Sequence, residues 1–94
     1  MNTAKKFYKL AQDELERNIR SYITAIELEI AQCAGRGEFS LIYSINIKDK
    51  EIIKSIKRYF KVCGFKVSGS WNNMDIYDIK INWKHPKHIL LKNI

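Results

Sequence analysis

Ala4, Tyr8, Ala11, Leu15, Ile19, Tyr22, Ile26, Ile30 and Cys33 step along the chain by threes and fours, the spacing of one face of an α-helix. Phe7, Leu10 and Ile23 widen the stripe. This pattern predicts one helix from about Thr3 to Ala34. Asn2 or Thr3 caps it, Asp13 with Arg17 and Glu16 with Arg20 stand four apart as supporting pairs, and Gly35 with Gly37 stops it. About thirty residues at ~1.5 Å each reach roughly 48 Å, whereas a domain of this length has a radius of gyration near ~12 Å. The helix therefore overhangs its own domain unless it bends near Ser21. An overhanging apolar stripe needs cover, and a second copy of the same stripe supplies it. A homo-oligomer joined through Leu15, Ile19, Tyr22, Ile26 and Ile30 is the expectation.

After the Gly35-Arg36-Gly37 break, Phe39, Leu41, Tyr43, Ile45 and Ile47 alternate with Glu38, Ser40, Ile42, Ser44 and Asn46, the period of a half-buried strand. Asp49 then caps a second helix whose inward face is Ile52, Ile53, Ile56, Tyr59, Phe60 and Cys63. Gly64 ends it, with Phe65 packing back on the last turn in a Schellman stop. Phe65, Val67, Gly69 and Trp71 form one strand and Tyr77, Ile79, Ile81 and Trp83 another, joined as a hairpin through Asn72-Asn73-Met74-Asp75. The reading is an α+β fold: a long N-terminal helix, then a β-α-β-β unit with a three-stranded mixed sheet and both helices on one face. The first and second strands are expected to pair in parallel across the intervening helix, with the third added antiparallel. Residues 1–94 make a single domain: a long assembly helix over 1–36, the β-α-β-β unit over 38–83, and an apolar and basic tail over 84–94 that Pro86 sets off.

Charge divides the chain in two. Residues 1–47 carry six Lys and Arg against six Asp and Glu, while residues 48–94 carry eleven against four, so the whole net charge of +7 lies in the second half. One half for assembly and one half for meeting an anion follows from that division. Cys33 and Cys63 form no CxxC pair and read as reduced structural thiols. The opening residues lead into a charged amphipathic stretch instead of an apolar leader, and no run approaches ~18 apolar residues, so a soluble cytoplasmic protein with no membrane partner is expected.

The basic half offers two candidate surfaces. Lys50, Lys54, Lys57 and Lys61 recur at i, i+4, i+7 and i+11 of the second helix, with Arg58 beside them. Such a row can follow phosphates; the plain alternative is the solvated outer face of an amphipathic helix. The second surface is the sheet face turned away from the helices, where Ser40, Ser44, Asn46, Lys66, Ser68, Ser70, Lys80 and Asn82 place hydroxyls and amides around two lysines. Its alternative is a wetted sheet face. Most aromatics fall on core positions; Trp71 beside the turn and Trp83 beside Lys84 are placed to stack on a base. His85 and His88 lack a third ligand for a metal. No nucleophile stands beside a base and no Gly-rich phosphate loop is present, so no enzymatic activity, metal or cofactor is expected.

At Gly64-Phe65-Lys66-Val67 and Ile79-Lys80-Ile81-Asn82-Trp83 the chain resembles small accessory proteins encoded by bacteriophages. These combine a long leading helix with a β-α-β-β unit, and the similarity covers about residues 38–83. Among them are regulators of host enzymes and oligomers that sequester the nucleotide signals of bacterial immunity. The resemblance implies a counter-defence protein in the host cytoplasm. The leading expectation is a non-enzymatic oligomer that binds an anionic ligand such as a nucleotide signal. Two others stand beside it: sequence-independent nucleic-acid binding through the second helix, and inhibition of a host protein docked by that helix or by the tail.

Overall fold

The computed structural model describes residues 3–73 and 75–85. Its elements are α1 (Thr3–Gly35), β1 (Ser40–Asn46), α2 (Lys50–Val62), β2 (Lys66–Trp71) and β3 (Ile76–Asn82), the predicted order of an α+β fold. The proposed capping role of Asn2, and the tail with Pro86 and His88, lie outside the described residues.

α1 is continuous, and Arg36 N–H and Glu38 N–H close its end on the Cys33 carbonyl at 3.1 and 3.0 Å. Gly37 supplies the left-handed turn there, with φ +81°. Arg17 does not pair with Asp13 as expected: its guanidinium reaches Glu14 at 2.8 Å, one residue nearer. Both partners are exposed, so the pair contributes little. Asp49 caps α2 as predicted, its carboxylate accepting Glu51 N–H at 2.9 Å. At the other end Phe65 N–H donates to Phe60 C=O and Gly64 N–H to Lys61 C=O, each at 3.0 Å, with Gly64 at φ +99°. These two bonds define the Schellman stop, and the Phe60 and Phe65 rings meet edge to face at 5.6 Å across it.

The sheet is entirely antiparallel by pairing, in the order β1-β3-β2. This corrects the expected mixed sheet. β1 and β2 do run in the same direction, but β3 lies between them and pairs with both. Burial explains the exchange: β3 has Tyr77, Ile79 and Ile81 buried, whereas β2, with Ser68, Gly69 and Ser70, has no fully buried residue. A central place shields both sides of the most apolar strand, and the poorest strand takes an edge.

Both helices cover one sheet face, α1 on the β1 side and α2 on the β2 side. The core joins Ile26 of α1, Ile45 of β1, Ile52, Ile53, Ile56 and Phe60 of α2, and Tyr77, Ile79 and Ile81 of β3. Burying side chains of this size is worth about 1.5–3 kcal/mol each. Some residues placed inward by periodicity are not: Phe39, just before β1, and Cys63 are exposed, and Tyr59 sits at the rim, where its hydroxyl donates to Glu27 of α1 at 3.0 Å.

α1 also changes the expected assembly seam. Ile26 is fully buried in its own chain, and Leu15, Ile19, Tyr22 and Ile30 pack half-buried against the same core. Ile26 is therefore not available to a second copy, and the other four keep only part of their surface free. The helix does overhang: every described side chain from position 4 to 14 is exposed, and the molecule measures 54 × 39 × 20 Å.

Candidate functional site

The cations of α2 gather along one flank of the helix. At ~100° per residue Lys50, Lys54, Lys57 and Lys61 fall within about 60° of one another, on the side of Ile53, the edge that leans toward β2. Glu51 in the first turn is the acid nearest them in the groove. Among the described residues the ion pairs are Arg17 with Glu14, Arg36 with Glu38, and Lys48 with Asp75. None engages the α2 row, which keeps its positive charge uncompensated.

What the sequence did not bring together with this row is an aromatic pair. Trp71 of β2 and Tyr77 of β3 stand directly opposite in register, their rings edge to face with centroids 5.2 Å apart. Both point to the helix side of the sheet. Lys57 Nζ donates to the Tyr77 hydroxyl at 3.0 Å and stands 5.5 Å from the centre of the ring, a cation–π distance. Tyr77 can lie there because position 69 is glycine: a Cβ on Gly69 would stand 2.6 Å from Tyr77 Cε2 and 2.7 Å from the Asp78 carbonyl. A glycine inside a strand pattern signals a close approach of this kind, and that was the legible clue.

The result is an open groove of about 300 Å³ lined by Lys50, Glu51, Ile53, Lys54, Lys57, Trp71 and Tyr77. A second depression of about 340 Å³, lined by Lys54, Lys57, Arg58 and Lys61, shares two of these lysines and continues along the helix. Trp71 keeps 38% of its surface exposed at the mouth of the first. Ammonium groups beside an accessible indole can hold a phosphate and stack a base together.

The other predicted residues lie on the far face of the sheet. Register sets them in rows across the three strands: Ser40, Asn82 and Lys66; Ile42, Lys80 and Ser68; Ser44, Asp78 and Ser70. Lys66, Ser68, Ser70, Lys80 and Asn82 are thus contiguous, but they do not join the α2 groove. Two residues left out of the predicted set alter this face. Asp78 occupies its central strand, accepting a 2.6 Å hydrogen bond from Ser44 Oγ, and Ile42 is one of its exposed side chains. A carboxylate in the middle offsets Lys80 next to it and disfavours an anion. Asn82 is engaged locally, its side-chain oxygen accepting Lys84 N–H at 2.9 Å. Trp83 packs half-buried against Phe65 at 6.3 Å, so of the two candidate stacking tryptophans Trp71 is the accessible one.

Among the described residues no cluster of three or more His, Cys, Asp or Glu is arranged to hold a metal, and no helix is long and apolar enough to cross a membrane. Comparison with protein-family models, with curated proteins and with solved structures finds no match for the chain.

Proposed function

We propose that this is a non-enzymatic binding protein for single-stranded nucleic acid, held without sequence preference along the α2 groove. The observation that carries the reading is the junction of Lys50, Lys54 and Lys57 with Trp71 and Tyr77 in one groove. Phosphates meet the ammonium row and a base stacks on the indole, which accepts any base because every base has a π-face. The row from Lys50 to Lys61 runs ~17 Å, well past the aromatic pair. A single compact nucleotide in that groove, the ligand implied by the phage resemblance, would leave Arg58 and Lys61 at the end of the row unused. The far sheet face, with Asp78 at its centre, is the weaker anion surface.

The test is tryptophan fluorescence in a Trp83→Phe background, where Trp71 is the sole tryptophan. Titration with oligothymidylates of increasing length should quench Trp71, with affinity rising until the strand spans the lysine row. Mononucleotides and cyclic dinucleotides should bind far more weakly. Equal affinity for a mononucleotide would favour a compact nucleotide site, and no binding of any anion would favour a protein partner.

A further inference from the structure

We infer that the overhanging start of α1 is a self-complementary surface that pairs antiparallel with the same segment of a second copy. This is independent of what the α2 groove binds. Beyond the edge of the domain the apolar stripe continues as Ala4, Tyr8, Ala11 and Leu15, at i, i+4, i+7 and i+11. Tyr8 is 70% exposed and Phe7, on the flank, 60%. Aromatic surface of that extent on a helix with no neighbour among the described residues calls for cover.

The stripe and its flank both specify the second copy and its direction. Running antiparallel, with a two-fold axis near Leu10, Tyr8 of one chain meets Ala11 of the other and Leu15 meets Ala4. Each large side chain faces a small one, the arrangement that interdigitates in helix packing. Beside the stripe, one residue on, runs the row Lys5, Lys9, Gln12 and Glu16. The same axis brings Lys5 to within two residues of Glu16, ~3 Å along the helix, and Lys9 equally near Gln12, a stagger these long side chains span, and by symmetry each contact occurs twice. A parallel pair would instead stack Tyr8 on Tyr8 and Leu15 on Leu15, large on large, and would turn the Lys5 to Glu16 rows of the two chains to opposite sides of the seam. In the antiparallel pair the two domains, which begin at Leu15, sit at opposite ends of the paired segment. The seam therefore lies N-terminal to the fully buried Ile26 and shares only the half-buried Leu15 with the residues packed on the core.

Sedimentation of the full chain at tens of micromolar should show a dimer. Lys5→Glu with Lys9→Glu sets like charges against Glu16 and should weaken dimerisation about tenfold or more. Adding Glu16→Lys and Gln12→Lys to that variant should restore it. All four positions are exposed, and circular dichroism of each variant checks that the helix persists. Direction is read separately in a Cys63→Ser background: Ala11→Cys, next to the axis, should oxidise to a disulfide dimer, whereas Ala4→Cys, ~16 Å from its copy, should not. A monomer at these concentrations, a dimer indifferent to the charge reversal, or cross-linking through Ala4→Cys would each overturn the inference.

Discussion

Gly69 and Tyr77 occupy the same space in alternation: a methyl group on Gly69 would stand 2.6 Å from the Tyr77 hydroxyl and ring edge. The absent side chain on the edge strand is what lets the phenol lie against β2 and take the Lys57 ammonium at 3.0 Å. Gly69→Val should therefore push Tyr77 from its place and destabilise the fold by about 1–3 kcal/mol. It should also weaken ligand binding, because Trp71 and Lys57 lose their common support. Urea unfolding gives the first number, and an unchanged midpoint would show that Tyr77 does not rest there.

A second consequence concerns the end of α2. Gly64 at φ +99° holds a conformation that costs any residue with a Cβ, so Gly64→Ala should lose about 1 kcal/mol and Gly64→Val more. Phe65→Ala should lose stability for a separate reason, the edge contact with Phe60 and the burial that goes with it. Thermal melts of the three variants test the stop; equal melting temperatures throughout would place the helix end elsewhere.

The tie between the two helices titrates at high pH. The hydrogen bond from Tyr59 to Glu27, followed by burial and the charge of the carboxylate, pushes the Tyr59 phenol up to about 12, above the ordinary value near 10. The folded state thus favours the protonated phenol. Its contribution to stability is fully present below pH ~10 and is lost as the pH rises from there toward 12. In an alkaline absorbance titration of the five tyrosines, Glu27→Ala should move one late-ionising phenol to lower pH. A titration curve unaltered by that change would contradict the pairing.

What was legible in the sequence was local. The 3.6-residue stripe of α1, the Asp49 cap, the Gly64 stop and the period-two strands each depend on residues within one or two turns of one another, and all appear where expected. Strand order depended on which strand the core buries most, and periodicity alone does not rank β3 above β2. The stripe of α1 was equally ambiguous, since an apolar face reads the same whether its own sheet or a copy covers it. Ile26 proved to belong to the first kind and Tyr8 to an uncovered stretch. The lysine row could be read from α2 alone. Its aromatic companions could not, because Trp71 and Tyr77 reach Lys57 only when β3 lies beside β2 and Gly69 leaves room.

The central claim, that the α2 groove meets a polyanion, is tested most directly by measuring affinity for a single-stranded oligonucleotide as salt is raised. Wild-type protein should show log K falling linearly with log salt, with a slope of about −0.7 for each phosphate neutralised. Lys54→Glu with Lys57→Glu and Lys61→Glu should abolish binding at every sequence tried, while Lys66→Ala with Lys80→Ala should leave most of the affinity and the slope in place. Retained binding in the α2 triple variant, with loss in the Lys66 and Lys80 variant, would contradict the account and move the site to the far face of the sheet.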